Sequence, residues 1–203
     1  MTRVVLSIGS NLGDRLARLQ SVVDGLGDAL VAVSPVYETA PWGGVEQGPF
    51  LNAVLIAEDS ARDGHSWLRR AQEFEQASGR VRDERWGPRT LDVDLIACHQ
   101  ISPEGTNGPA GRIELIERDS KLTLPHPMAH LRAFVLVPWL AVDPAAELTV
   151  AGVPRQVAEL LAELEQADRD SVRLFRAALN LNGIRDIAPP VPNRKADGTD
   201  PEA

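Results

Sequence analysis

Residues Arg80–Ile96 read RVRDERWGPRTLDVDLI. The second half, Leu91–Ile96, alternates branched aliphatics with period 2 and so reads as a β-strand, and this alternation sends Asp92 and Asp94 out of one face roughly 6.6 Å apart. The first half sets Arg80, Arg82, Arg85 and Arg89 around the turn signal Trp86-Gly87-Pro88. Two like charges on one strand face destabilise it unless something positive lies between them, and hard divalent cations on carboxylate oxygens are the ordinary remedy. D-x-D alone favours a blander reading, a solvated face neutralised by surface salt bridges. Guanidinium forks match phosphate oxygens, so arginines and paired aspartates together point to a magnesium polyphosphate site.

Upstream of this strand, Arg3–Ser10 is β-branched and alternating. Asn11 is placed to cap a helix in which Leu12, Leu16, Leu19, Val23, Leu26 and Leu30 recur every three or four residues. Residues Val31–Glu38 and Leu51–Glu58 read as strands, separated by TAPWGGVEQGPF, too rich in Gly and Pro to be regular. Asp63 or Ser66 caps a second helix with Trp67, Leu68, Ala71 and Phe74 inward and Gly79 at its stop. The strand carrying the aspartates follows. The order β-α-β-β-α-β predicts a ferredoxin-like α+β sandwich, an antiparallel sheet with helices packed on one face.

Downstream, Ala97–Lys121 turns to Ser, Pro and Gly and reads as an excursion from the core, with an extra strand only at Arg112–Glu117. Phe134–Leu140 is an apolar run containing Pro138. A helix is expected over Pro154–Glu165 and an edge strand over Ser171–Phe175. Residues 1–180 form one expected domain; from 181 to 203 the apolar content falls too low for order, and a disordered tail is expected.

Composition narrows the function. At 203 residues there is room for one core. A net charge of −8 argues against general nucleic-acid binding and makes the arginine cluster a focused anion site. The single cysteine, Cys98, excludes an internal disulfide and a Cys-rich zinc site, reads as a buried small residue at a strand end, and fits a reducing cytoplasm. No apolar run is long enough for a signal peptide or a membrane span. An RNA-binding module would need exposed aromatics and a basic surface, whereas four Trp, four Phe and one Tyr are all the aromatics present. A nucleotide-sugar transferase also uses D-x-D with a metal, but no sugar-binding domain is visible.

Four separated segments carry a family resemblance: SIGSNLGD at Ser7–Asp14, PFLNAV at Pro49–Val54, RWGPRTLDVDLI at Arg85–Ile96 and LPHPMAHLRAFVLVP at Leu124–Pro138. Together they resemble the 6-hydroxymethyl-7,8-dihydropterin pyrophosphokinases, folate-pathway enzymes that move a pyrophosphoryl group from ATP to a pterin alcohol and release AMP. The resemblance implies that Asp92 and Asp94 hold two Mg²⁺ ions on the ATP co-substrate. It implies catalytic roles for Arg80, Arg89 and Asp94, the last being the one candidate for a general base. For ATP binding it implies Arg80, Arg82, Trp86, Arg89, Thr123, His126 and Arg132, with Arg85 and His130 ranked second. Trp86 reads as a hydrophobic lid or as a turn anchor.

For the pterin the resemblance implies Phe50 and Phe134 around the ring, Asn52 on its pyrimidine edge, and Thr39, Trp42 and Asp92 beside it. Glu75 matches a family acid near ATP, although an exposed helix carboxylate is an equal reading. Met128 and Leu131 stand where the family often has an arginine and a glutamate. SIGSNLGD has the glycines of a phosphate loop without its lysine, and its expected task is to shape a turn beside the site. The Gly43-Gly44 and Arg80–Trp86 loops are expected to order on binding. No nucleic acid or membrane partner is expected; transient contact with neighbouring folate-pathway enzymes is left open.

Overall fold

The computed structural model describes residues 1–41, 47–79, 89–101 and 111–181. Strands β1 (Thr2–Ser10), β2 (Leu30–Val33), β3 (Tyr37–Thr39), β4 (Phe50–Asp59) and β5 (Asp92–Ile101) and helices α1 (Arg15–Leu26) and α2 (Gly64–Ala77) give the expected β-α-β-β-α-β order. Its second strand is interrupted at Pro35 and becomes β2 and β3. The remainder comprises β6 (Arg112–Glu114), β7 (Glu117–Arg118), β8 (Thr123–Leu124), α3 (Ala133–Val142), β9 (Glu147–Val150), β10 (Val153–Gln156), α4 (Val157–Glu163), α5 (Gln166–Asp170) and β11 (Arg173–Leu174). The main sheet is antiparallel, in the order β11-β3-β4-β1-β5-β6, with β2 also on β4.

Helices cover both faces of this sheet rather than one. Val4, Leu6 and Ile8 of β1 pack with Leu19, Val22 and Val23 of α1 and with Trp67, Ala71 and Phe74 of α2. On the opposite face Val5, Val54, Ile96 and Ala97 pack under Val135, Leu136 and Trp139 of α3 and Val157 and Leu160 of α4. The apolar run around Pro138 is therefore a helix buried between sheet and α4, and its lack of a polar face reflects that burial. Glycine at position 25 lets α1 and α2 approach closely, since a Cβ there would lie 2.4 Å from Cε1 of Phe74.

Other expectations are displaced for identifiable reasons. Asp14, not Asn11, caps α1 by accepting the Ala17 N–H, and Leu30 lies in β2 instead of the helix. At α2 Asp63 is the cap and Ser66 its reciprocal partner, Asp63 Oδ1 accepting the Ser66 N–H and Ser66 Oγ accepting the Asp63 N–H. The span 97–101 belongs to β5, because a register shift opposite Val5 and Leu6 breaks the alternation without ending the strand. Cys98 is consequently buried in mid-strand, opposite Val4. Pro154 sits in β10, paired with Thr149 across a hairpin whose tip, Ala151-Gly152, has positive φ at both residues, so the last long helix begins only at Val157. Leu179 and Leu181 still pack on the α1 side of the core; the rest of the expected tail lies outside the described residues.

Candidate active site

On the α3 face of the sheet, apolar cover stops partway along the strands. Register sets Ser7 between Val54 and Asp94, and one pleat further Gly9 between Asn52 and Asp92. Ser7, Gly9, Asn52, Asp92 and Asp94 of these rows form the floor of a cleft of about 640 Å³, part of it open to solvent. Thr39, Ala40, Gln47, Phe50, Arg89, Arg132 and Phe134 complete its lining. Asp92 and Asp94 thus share a face as period 2 requires, but that face is a cleft floor and not an open surface.

Each aspartate has its own arginine. Arg89 donates to Oδ2 of Asp92, three residues along the chain, and Arg132 donates to Oδ2 of Asp94 at 3.2 Å from the start of α3. A positive group therefore lies against each carboxylate, which offsets the like-charge penalty of the D-x-D strand. Arg132 is buried, with its guanidinium carbon 5.7 Å from the centroid of the Phe134 ring, so the ring and the ion pair orient it together.

At the other end of the cleft, buried Asn52 donates from Nδ2 to Oγ1 of Thr39 at 2.7 Å. Its Oδ1 lies over Gly9, where a Cβ would come within 2.8 Å. Glycine at that position leaves room for the carboxamide in this orientation, which explains the G of SIGSN better than a phosphate loop does. Phe50 and Phe134, from β4 and α3, present half-buried rings to the same space.

Glu75 is buried rather than exposed. It reaches β5 from α2 and accepts the backbone N–H of Val93 at 3.0 Å. The paired residues of β6 lie further along, at His99–Ile101. A side-chain carboxylate thus serves where a neighbouring strand's carbonyl would ordinarily accept.

Thr123 and His126 line a second groove, between the β7–β8 hairpin and the β9–β10 hairpin, together with His130, Arg118 and Thr149. His126 accepts the Met128 N–H on Nδ1 at 3.2 Å. Burial first, and then the positive charge of Arg132, pushes its pKa down to about 4, so at neutral pH the ring is neutral with its proton on Nε2. Asp92 acts on it in the opposite sense, which ties the groove electrostatically to the cleft. Leu131 is exposed at the turn before α3. His65, Glu117 and Asp119 hold three potential ligand atoms within 4.8 Å of one another, with His65 Nε2 2.9 Å from Asp119 Oδ2.

Of the residues expected at the site, Thr39, Phe50, Asn52, Arg89, Asp92, Asp94, Arg132 and Phe134 converge on the cleft, and Thr123 and His126 on the groove beside it. Trp42, Arg80, Arg82, Arg85 and Trp86, with the loops expected to close, lie outside the described residues. Ser7, Gly9, Ala40 and Gln47 were not anticipated as lining. For Ser7 and Gly9 the signal was the alternation of β1, which places them on the face opposite Val4, Leu6 and Ile8.

A model of the 7,8-dihydro-6-hydroxymethylpterin-pyrophosphokinase (HPPK) family matches residues 5–144. The 2-amino-4-hydroxy-6-hydroxymethyldihydropteridine pyrophosphokinase of Mycobacterium tuberculosis (strain ATCC 25618 / H37Rv) is 70% identical over 188 residues, covering 93% of this chain and 97% of that one. The enzyme of the same name from Methylorubrum extorquens is 38% identical over 178 residues, covering 85% and 99%. Among solved structures, a Plasmodium falciparum HPPK-DHPS crystal structure aligns with a TM-score of 0.55 at 11% identity, over 85% of this chain and 47% of that longer one, a likeness of fold alone. The chain belongs to the 7,8-dihydro-6-hydroxymethylpterin-pyrophosphokinase family.

Proposed function

We propose that the cleft is where this pyrophosphokinase binds its pterin and that the adjoining groove takes the ATP nucleotide. The family's reaction transfers a pyrophosphoryl group to 6-hydroxymethyl-7,8-dihydropterin in folate biosynthesis. One observation carries the assignment: Phe50, Asn52, Arg89, Asp92, Asp94, Arg132 and Phe134, from distant parts of the sequence, line a single cleft. Two aromatic faces suit a flat heterocycle, and a buried carboxamide held by Thr39 suits the donor-acceptor edge of its pyrimidine ring.

Asp92 and Asp94 are the residues that would hold Mg²⁺, with two ions proposed. Paired carboxylate oxygens on one wall, facing space for phosphates, are the donor set this hard cation takes. When bound, the ions supply neutralisation of phosphate charge. Arg89 and Arg132, which pair with the two carboxylates, are positioned to turn to phosphate oxygens instead. Attack of the pterin hydroxyl on the β-phosphorus expels AMP, and the guanidiniums meet the charge that develops on the transferring group. Asp94 is the acceptor proposed for the hydroxyl proton. His126 contributes an Nε2–H donor in the groove, with Thr123 beside it. Arg80, Arg82, Trp86 and Trp42 keep the proposed roles given by resemblance.

A cytoplasmic location is proposed, and no helix among the described residues is long and apolar enough to cross a membrane. The test is phosphorus NMR of the protein with ATP, Mg²⁺ and 6-hydroxymethyl-7,8-dihydropterin. AMP with a pterin diphosphate is the expected outcome. ADP, or no turnover, overturns the reading; omitting Mg²⁺ tests the metal separately.

A further inference from the structure

Asn11 follows β1, is buried, and belongs to neither the floor nor the α1 cap. Its Oδ1 accepts the Arg89 N–H at 2.7 Å and its own backbone N–H donates to the Arg89 carbonyl at 3.1 Å. Its Nδ2 donates to Oε1 of Gln47 at 2.9 Å and to the Gly48 carbonyl at 3.3 Å. Ser10 adds a bond from Oγ to the Thr90 carbonyl at 2.6 Å. Gln47 and Gly48 lead into Pro49 and Phe50 on the pterin side, whereas Arg89 opens the segment bearing Asp92 and Asp94. Gln47 and Arg89 both line the cleft.

We propose that Asn11 is a positioning residue whose side-chain amide fastens the pterin-side wall, at Gln47 and Gly48, to the phosphate-side wall at Arg89. This inference rests on the site assignment above. A carboxamide suits the position because it accepts on one atom and donates on the other. Aspartate keeps the acceptor for Arg89 but turns a second acceptor toward the Gly48 carbonyl, so it releases only the pterin-side wall. Alanine removes both side-chain bonds to the pterin-side wall and the acceptor for the Arg89 N–H, leaving Asn11 joined to Arg89 through its main-chain N–H alone. The amide therefore aligns the two walls without touching either substrate.

The two variants separate these effects. Asn11→Asp is expected to raise KM for the pterin about tenfold with KM for ATP little changed. Asn11→Ala is expected to raise both KM values and to lower kcat, because Arg89 also loses its fixed backbone. A merely structural role predicts lower melting temperatures with unchanged KM values in the folded enzyme, and that outcome overturns the proposal. Hydrogen exchange of the ligand-free proteins keeps this test apart from the functional one. In Asn11→Ala the amide of Arg89 is expected to exchange faster, and unchanged exchange overturns the fastening even if the wild-type protein shows no pyrophosphokinase activity.

Discussion

Glu75 Oε1 accepts the backbone N–H of Val93 at 3.0 Å, and Val93 is the residue between Asp92 and Asp94. A helix on one face of the sheet thereby steadies a strand whose charged side chains act on the other. Replacing Glu75 with alanine leaves a buried N–H without its acceptor at a cost of about 1–3 kcal/mol. Glutamine retains an acceptor oxygen and is expected to recover much of that loss. Denaturant unfolding of the two variants checks the ordering; equal stability of Glu75→Ala and wild type would refute it.

Asp94→Ala and Arg89→Ala are each expected to lower turnover on the order of 10²-fold or more, since both groups are proposed to face the transferring charge. Circular dichroism and a cooperative melt are expected to remain close to wild type. A near-normal rate in either variant contradicts its assigned role.

Gly9→Ala places a methyl group where Oδ1 of Asn52 now lies, 2.8 Å away, so the carboxamide must shift from its bond to Thr39. Pterin affinity is expected to fall by about tenfold, the scale of one lost hydrogen bond in a buried site, while affinity for ATP changes little. Calorimetric titration with each substrate separates the two. Equal losses for both would place the damage in the fold rather than at the pterin edge.

His99 lies on β5 opposite Glu114, and burial, reinforced by Arg112 and Arg3, pushes its pKa down to about 4. Between the ordinary histidine pKa near 6.5 and about 4, the unfolded chain binds the proton more readily than the folded one. Stability from the neutral ring is therefore complete above about 6.5 and is lost as pH falls toward 4. Comparing unfolding free energies at pH 7.5 and pH 5, the decline in His99→Gln is expected to be about 1–2 kcal/mol smaller than in wild type. Identical pH slopes would remove His99 as a source of acid sensitivity.

Burial likewise pushes the Cys98 thiol up to about 11. At pH 8 the native thiol is both protonated and enclosed, so a thiol reagent is expected to label it only as the protein unfolds. Rapid labelling of the folded protein would contradict the packing of β5.

Much of the fold was readable because apolar periodicity is a local signal. The alternation in Arg3–Ser10 and Leu91–Ile96 identified two central strands, and the spacing from Leu16 to Leu26 and from Trp67 to Phe74 identified α1 and α2. The errors fell where local pattern is ambiguous. Residues 97–101 look irregular because a register shift interrupts the alternation, and Pro154 reads as a helix start although it occupies a short hairpin strand. Helices on both faces were hidden because α3 is apolar on every side, which gives a periodicity argument no face to point with.

From the chain order alone came the strand and helix sequence of the core and the shared face of Asp92 and Asp94, whereas the residues named for pterin and for most of the phosphate contacts came from the family resemblance. Period 2 and period 3.6 are properties of neighbouring residues, so no partner is needed to see them. Folding settled which of those faces stays uncovered, that Arg89 and Arg132 divide the two aspartates between them, and that Glu75 and Asn11 serve as backbone partners. These are contacts between residues separated by 18 to 78 positions in all but the Arg89–Asp92 pair. Register and packing bring them together, and neither is encoded in any one stretch of sequence.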